Sequence, residues 1–292
     1  MHVPVLLAET LEWLAVRPGG IYVDATYGRG GHSAAILARL DSTGRLYSFD
    51  RDPQACADAA RFAADGRFEF VRAPFSRLGG ILESRGLAGR VDGLLFDLGL
   101  SSPQLDDPHR GFGIRHDGPL DMRMDPEAGP SAGKWLARAS EREIADVIFR
   151  FGEERYSRRI ARAIVARRRA APIETTGELA ALVARAVPRR ERRLHPATRS
   201  FQALRIHVND ELGELRAGLA AAAMLLAPQA RLLVISFQSL EDRIVKQFLR
   251  EGARSDPPQW KILARLLRPD REELARNPRA RSARLRVAER SA

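Results

Sequence analysis

A glycine-rich turn follows the first apolar run of the chain. The residues Asp24-Ala25-Thr26-Tyr27-Gly28-Arg29-Gly30-Gly31-His32-Ser33 lead from a β-rich run into a helical stretch. Glycines at such a turn let the backbone approach a ligand closely and take positive φ angles. Asp50 ends the next β-rich run, 22 residues after Gly28, near the spacing of roughly 20 residues typical of a carboxylate that binds ribose hydroxyls. The spacing predicts a site for a nucleoside-containing cofactor.

NAD and S-adenosylmethionine sites share this geometry, so the turn alone leaves both open. The dinucleotide fingerprint G-x-G-x-x-G requires a glycine where this chain has Ser33. An acid four residues before the first glycine, here Asp24, is more typical of methyltransferases. A tight strand–helix turn without a ligand is the structural alternative, but it leaves the position of Asp50 unexplained.

The elements that must position these residues alternate in type over the first hundred residues. Short β-rich runs and helical stretches follow one another, which predicts an α/β fold with a mainly parallel sheet and helices on both faces. The predicted strands are 21–25, 46–50, 68–72, 91–97, 231–236 and 283–288. The predicted helices are 33–40, 53–64 and a long one over 197–226.

The pattern changes after Asp97. A loop rich in Gly, Asp and Pro is predicted over 101–130, and helical segments follow it. Two of these begin with the capping-box pattern, at Ser140-x-x-Glu143 and Thr175-x-x-Glu178. We therefore predict a domain made of residues 1–105 and 205–292, interrupted by a helical, basic insertion of residues 106–204 that recognises the substrate.

Positive charge is unevenly distributed along the chain, whose 48 basic and 37 acidic residues give a net charge of +11. Residues 1–105 have net charge −1 and residues 205–249 are neutral, whereas 106–204 and 250–292 each carry +6. This distribution favours a protein that binds polyanionic phosphate with some regions and does chemistry with others. The alternative is that the arginines form solvated helix faces and that codon usage favours Arg over Lys.

Seven motifs, in order, occur along nearly the whole chain. They are His2-x-Pro4-Val5-Leu6-Leu7, the turn Gly28–Ser33, Asp97-Leu98-Gly99-Leu100-Ser101-Ser102-Pro103-Gln104-Leu105-Asp106, Asp117-Gly118-Pro119-Leu120-Asp121-Met122-Arg123-Met124, His195-Pro196-Ala197-Thr198-Arg199, Leu240-Glu241-Asp242-Arg243-Ile244-Val245-Lys246 and Asn277-Pro278-Arg279-Ala280-Arg281-Ser282. Through these motifs the chain closely resembles the bacterial ribosomal RNA small subunit methyltransferase H family. Seven motifs are far more specific than one glycine turn.

The resemblance implies a class I, Rossmann-like methyltransferase fold. It also implies methyl transfer from S-adenosylmethionine to N4 of a cytidine in the decoding region of 16S rRNA. The residues that match the family's cofactor positions are Gly30, Gly31, His32, Asp50, Phe75, Asp97 and Gln104. We expect backbone N–H groups near Gly30 and Gly31 to face the methionine part, Asp50 the ribose and Phe75 the adenine.

The predicted catalytic residues are Asp97 and Ser102. Ligands in open α/β sheets bind at the carboxyl ends of strands, where Asp97 stands. An acceptor for the cytosine amino N–H would favour attack and then take the proton, and the loop Ser101-Ser102-Pro103 is placed to offer one. Isolated histidines are more often structural, so His195 and His207 are weaker candidate bases.

The basic regions predict contacts with rRNA, within the small ribosomal subunit. The residues expected to make them are Arg158, Arg159, Arg162, Arg199 and Arg243. The other functions considered are a methyltransferase for DNA or protein, an NAD(P)-dependent dehydrogenase and a non-catalytic RNA-binding module. The last of these would leave the glycine turn without a role.

The chain departs from the family pattern at two places. Gln238 stands where the family usually has a histidine in Ser-Phe-His-Ser, and Phe112-Gly113-Ile114 replaces the usual Phe-Ser-Phe. Both departures leave the predicted cofactor residues unchanged.

A single cysteine, Cys56, excludes an internal disulfide and a Cys-rich metal site. No metal site and no membrane-spanning segment are predicted, and the N-terminus does not read as a signal peptide because Glu9 and Glu12 follow closely. A cytoplasmic location is expected.

Overall fold

The computed structural model describes residues 4–188 and 195–292, so His2 of the first motif lies outside the described residues. The chain divides into two units. The first combines Met1–Gly99 with Leu212–Ala292, and the second is Leu100–Glu211. The predicted insertion, residues 106–204, falls inside the second unit, which extends several residues further at both ends.

A seven-stranded sheet forms the first unit. Its strands are β1 (Ile21–Asp24), β2 (Arg45–Asp50), β3 (Phe68–Arg72), β4 (Val91–Asp97), β5 (Leu226–Ser236), β6 (Trp260–Leu267) and β7 (Arg284–Arg290). Their spatial order is β3-β2-β1-β4-β5-β7-β6. The first five strands pair in parallel, whereas β7 runs antiparallel to both β5 and β6. The predicted α/β class with a mainly parallel sheet is confirmed.

The central strands are apolar on both faces, as expected for a parallel sheet covered by helices on both sides. In β4, Leu94 and Phe96 belong to one buried apolar cluster and Leu95 to another, on the opposite face. The helices of this unit are α1 (Leu7–Leu14), α2 (Gly31–Leu37), α3 (Pro53–Ala59), α4 (Leu78–Glu83), α11 (Glu211–Leu225), α12 (Ser239–Arg254) and α13 (Arg271–Arg276). The first residue of α11, Glu211, is the last residue of the second unit.

Helices with a core of their own form the second unit. They are α5 (Ser102–Asp106), α6 (Ala132–Arg138), α7 (Glu141–Gly152), α8 (Ser157–Ala170), α9 (Thr176–Ala186) and α10 (Thr198–Val208). Ile148, Ile160 and Leu179 are fully buried in its apolar cluster. Both predicted capping boxes, at Ser140 and Thr175, are present.

Several predicted boundaries were wrong. The loop predicted over 101–130 contains α5 and a 3-10 turn at Pro108–Arg110. The helix predicted over 197–226 is two helices, because the chain breaks at Asp210, whose φ is 46°. The predicted helix 53–64 leaves α-helical geometry after Ala59. None of the helices in the described ranges is both long and apolar enough to cross a membrane.

Candidate functional site

The turn after β1 needs its glycines for packing as well as for backbone conformation. Gly28 and Gly30 have φ of 56° and 64°. A Cβ on Gly30 would lie 2.5 Å from the Tyr27 ring, and one on Gly31 would lie 2.3 Å from Cγ of Pro4. The Gly30 N–H donates to the Tyr27 carbonyl at 2.6 Å, so it is already used within the turn. The turn is therefore fixed by its own contacts.

Asp50, at the end of β2, holds this turn. Its Oδ2 accepts a hydrogen bond from Gly28 N at 2.8 Å, and its Oδ1 accepts one from Asp52 N at 2.9 Å. Burial raises the pKa of Asp50 to about 6, against the lowering effect of those two N–H groups. A carboxylate has about four acceptor positions, so Asp50 retains capacity for a ligand and is mostly ionised at neutral pH.

Ser33 is part of a buried polar network. Its hydroxyl donates to Asp24 Oδ2 at 2.6 Å and lies 2.9 Å from the Ser48 hydroxyl. Burial raises the pKa of Asp24, and the hydrogen bond from Ser33 partly offsets that increase. A glycine at this position, which the dinucleotide fingerprint requires, would remove the donor to a buried carboxyl group.

His32 and Asp97 meet where β1 and β4 end side by side. The Asp97 N–H donates to Thr26 Oγ1 at 2.6 Å, and His32 Nε2 lies 3.5 Å from Asp97 Oδ2. Burial lowers the pKa of His32, but the charge attraction of the nearby Asp97 and Asp24 carboxylates opposes it, and the pKa is raised. Both ring nitrogens of His32 and Oδ1 of Asp97 are buried without a hydrogen-bond partner in the described chain. Thr10 Oγ1, Ser200 Oγ and Trp260 Nε1 also lack partners among the described residues, but each of them is a single atom. Three such atoms lie together on His32 and Asp97, and this clustering indicates a place for a ligand.

Phe75 follows β3 and packs against Phe96, with ring centroids 5.6 Å apart at 78°. The next residue, Ser76, is bound by Glu214, which is 138 positions away in sequence. Glu214 accepts hydrogen bonds from the N–H and the hydroxyl of Ser76, both at 2.9 Å. A Cβ on Gly218 would lie 2.9 Å from the Phe75 ring. Phe75 stays a prediction of the cofactor site, and its neighbours Glu214 and Gly218 were not predicted because no local motif marks them.

The first unit thus brings together most of the predicted cofactor residues. Gly30, Gly31, His32, Asp50 and Asp97 lie at or just beyond the carboxyl ends of β1, β2 and β4. The strand order reverses between β1 and β4, since β2 and β3 lie on one side and β5 on the other. In open α/β sheets this switch point is where ligands bind.

Ser102 and Gln104 belong to the second unit. Ser102 is the first residue of α5, which Ser101 and Gln104 cap together. Oε1 of the buried Gln104 accepts the Ser101 N–H at 2.9 Å. The amide oxygen of Gln104 therefore stabilises its own helix.

The motif Asp117–Met124 is held by polar contacts within the second unit. Arg123 donates to both oxygens of Asp121, at 2.7 and 2.6 Å. Asn209 donates to the Met122 carbonyl at 2.7 Å and accepts the Met124 N–H at 2.7 Å. The buried Arg110 donates to the carbonyls of Arg123 and Met124, at 3.1 and 2.9 Å. These contacts fix the loop.

The two candidate histidine bases have different surroundings. His207 lies beside Trp135, with ring centroids 4.3 Å apart, and beside Phe151 at 6.4 Å. Burial lowers the pKa of His207. His195 is exposed, and its Nδ1 accepts the Ala197 N–H at 3.2 Å. Each of these observations fits an ordinary structural histidine.

The arginines predicted to contact RNA occur in both units. Arg158, Arg159 and Arg162 are exposed on α8, and Arg162 lies 3.8 Å from Glu141. Arg199 is half-buried on α10, whereas Arg243 is exposed on α12 of the first unit.

The departures from the family pattern have structural roles. Gln238 is the N-cap of α12, and its N–H donates to Glu241 at 3.1 Å. Ile114 is partly buried and packs against the core of the second unit. Cys56 is exposed on α3. Within the described ranges, no group of three or more His, Cys, Asp or Glu side chains could hold a metal ion.

Comparison with known proteins identifies relatives over the full chain. The family model described as "MraW methylase family" matches residues 1–291. A ribosomal RNA small subunit methyltransferase H of Thioalkalivibrio sulfidiphilus is 56% identical, with 100% of this chain and 98% of the relative covered. The protein of the same name from Nitrosococcus oceani is 54% identical, covering 99% and 96%. An rRNA methylase structure from Streptococcus thermophilus is 13% identical over the whole of both chains, and its TM-score of 0.43 is too low to add to these matches.

Proposed function

Because the chain belongs to the MraW methylase family, we propose that it transfers a methyl group from S-adenosylmethionine to N4 of a cytidine in 16S rRNA. The observation that carries this assignment is the family match over residues 1–291. It is supported by full-length relatives named ribosomal RNA small subunit methyltransferase H at 56% and 54% identity. The mainly parallel seven-stranded sheet is the class I methyltransferase fold.

The residues at the carboxyl edge of the sheet fit S-adenosylmethionine. When bound, this cofactor supplies an electrophilic methyl group on a sulfonium. The remaining acceptor positions of Asp50 suit the two hydroxyls of a ribose, and the Phe75 ring suits an adenine. The unmet polar atoms of His32 and Asp97 lie at the same edge. The segment Gly31–His32, at the start of α2, suits the methionine part.

Asp97 is the residue we assign to the amino group of the target base. The lone pair of a cytosine amine is delocalised into the ring, so catalysis depends on positioning and on an acceptor for the N–H. Asp97 is 24% exposed, its Oδ1 has no partner among the described residues, and Nε2 of His32 lies 3.5 Å from its other oxygen. The C–N bond forms as the bond between the methyl carbon and sulfur breaks, which leaves a neutral thioether, and this carboxylate takes the proton that the methylated amine then loses. Ser102 is the second acceptor assigned.

The second unit is assigned to substrate recognition. Its exposed arginines Arg158, Arg159 and Arg162 suit the phosphate backbone, together with Arg199 and with Arg243 of the first unit. The substrate is then 16S rRNA within a small ribosomal subunit, in the cytoplasm. Reversing the charges of the α8 arginines should weaken RNA binding and leave the affinity for S-adenosylmethionine unchanged. Unchanged RNA affinity and salt dependence would mean that α8 is only a solvated face.

The chemical identity of the product tests the function. Methylation of cytosine at C5 normally requires a cysteine thiolate that adds at C6, and Cys56 is the single cysteine of the chain. Wild type and Cys56→Ala are incubated with small ribosomal subunits and labelled S-adenosylmethionine, and the methylated nucleosides are separated after digestion. We expect N4-methylcytidine from both at similar yield. Formation of 5-methylcytidine, or label confined to protein or DNA, would contradict the proposal.

A further inference from the structure

A groove of the first unit lies between α12 and β6 and has a volume of about 410 Å³. Its lining contains five basic side chains and no acidic one. The basic residues are Lys246, Arg250, Arg254, Arg265 and Arg286. The rest of the lining is apolar and includes Leu249, Ile262 and Leu266. The groove thus has an apolar floor and a cationic rim.

Four of the five cations have no counter-ion among the residues that the structure describes. Arg286 is bound to Asp242 at 2.6 and 3.1 Å, a carboxylate that it shares with Arg284. Lys246, Arg250, Arg254 and Arg265 are exposed, and none makes an ion pair with a residue in the described ranges. Like charges this close repel one another, so the groove favours an anion.

Helix stability explains only part of this arrangement. Arg250 and Arg254 lie near the C-terminal end of α12, where positive side chains interact favourably with the helix dipole. Lys246 lies about two turns before that end, and Arg265 is on β6. Their convergence on one groove needs a different reason.

The basic residues along α12 form a row that is long enough to contact several phosphates of a polymer. Lys246, Arg250 and Arg254 are four residues apart and share one face of the helix. With a rise of 1.5 Å per residue, the row is about 12 Å long. One strand of double-stranded DNA advances about 3.4 Å along the helix axis per phosphate, so a row of this length is long enough to contact several consecutive phosphates of a polynucleotide.

We propose that this groove binds the phosphate backbone of RNA next to the segment that enters the methyl-transfer site. The proposal rests on the rRNA substrate assigned above. Three strand intervals separate β6 from β4 in the sheet, which at about 4.8 Å each amount to roughly 14 Å. The groove is therefore a second contact region, separate from His32 and Asp97, and it anchors RNA that is not itself methylated.

The test compares two variants that lose the same charge. The groove variant is Lys246→Gln, Arg250→Gln and Arg254→Gln. The control variant is Arg39→Gln, Arg90→Gln and Arg271→Gln, three exposed arginines outside the groove. Binding to purified 16S rRNA is measured over a salt series, without S-adenosylmethionine, and thermal unfolding is measured for both.

The groove variant should bind RNA about tenfold or more weakly, and its log–log salt slope should be smaller by about 2–3. The control variant should stay within about threefold of wild type, because it keeps every basic side chain of the groove. Equal affinities of the two variants would overturn the proposal. So would a groove variant that loses binding to phosphatidylglycerol vesicles but keeps RNA binding, since the groove would then serve a membrane surface.

Methyl transfer by the wild type is measured separately, so the two proposals can fail independently. If the wild type forms N4-methylcytidine and both variants bind RNA alike, the groove proposal alone is wrong. If the wild type methylates no rRNA but the groove variant still binds RNA more weakly than the control variant, the groove proposal is supported and the proposed function is wrong.

Discussion

Two regions of this protein that contain motif residues differ in whether their polar groups have hydrogen-bond partners within the chain. At the carboxyl edge of the first unit, the nitrogens of His32 and Oδ1 of Asp97 are buried without partners in the described chain. In the Asp117–Met124 segment of the second unit, Asp121 accepts from Arg123, and the backbone of Met122 and Met124 is bound by Asn209, at the end of α10. Buried polar groups that the protein leaves unmet indicate a ligand, whereas satisfied ones indicate a structural role. The presence of motif residues alone does not distinguish a ligand-binding role from a structural one.

Removing the acceptor at Asp97 should have the largest effect. Asp97→Asn keeps the shape of the side chain but cannot take a proton, so kcat for methyl transfer should fall by about 10²–10⁴. Single-turnover assays with labelled S-adenosylmethionine measure this, and thermal unfolding controls for folding. If the kcat of Asp97→Asn stays within a few-fold of the wild-type value, Asp97 is not the proton acceptor. The proposed difference in function between the two regions is then wrong.

The second region should respond in stability and not in cofactor binding. Asn209→Ala leaves the Met122 carbonyl and the Met124 N–H without their partner, which should cost about 1–3 kcal/mol in free energy of unfolding. Chemical denaturation measures that cost, and titration calorimetry should show an unchanged Kd for S-adenosylmethionine. If the affinity falls while the fold remains intact, the Asp117–Met124 segment has a binding role that its internal contacts conceal.

The pH dependence of cofactor binding should give the smallest effect. The pKa of Asp50 is raised to about 6, so its carboxylate becomes protonated, and loses acceptor capacity, as pH falls through that value. The affinity for S-adenosylmethionine should be nearly constant above pH 7 and fall below pH 6, by at most tenfold per pH unit. Asp50→Asn should remove this dependence. An affinity of the wild type that is constant from pH 5 to 8 would exclude a contact with ionised Asp50.

The part of the site that local sequence encodes was predictable. The glycine turn, Asp50 at the end of β2 and Asp97 at the end of β4 follow from the alternation of strands and helices and from one spacing. The contacts of Glu214 with Ser76 were not predictable, because they join residues 138 positions apart. The break at Asp210 was missed because the apolar pattern continues across it.

Edges and short elements were also missed. Strand β6 carries exposed residues at Lys261, Arg265 and Leu266, and its pairing with β7 shifts register twice, so its alternation is weak. Helix α5 has five residues and begins in a Ser-Ser-Pro sequence that is equally typical of a loop. In both cases tertiary pairing or capping, and not periodicity, determines the structure.

The central claim is that the carboxyl edge of the first unit binds the methyl donor. Titration calorimetry with wild type and Asp50→Ala tests this claim most directly. We expect the wild type to bind S-adenosylmethionine and not NADH. Loss of the charge-assisted hydrogen bonds of Asp50 should weaken S-adenosylmethionine binding by about 10–100-fold, or roughly 1.5–3 kcal/mol. Asp50 also holds Gly28, so Asp50→Asn, which can still accept hydrogen bonds, is measured alongside and should lose less. Equal affinity of Asp50→Ala and wild type, or binding of NADH by the wild type, would contradict the account.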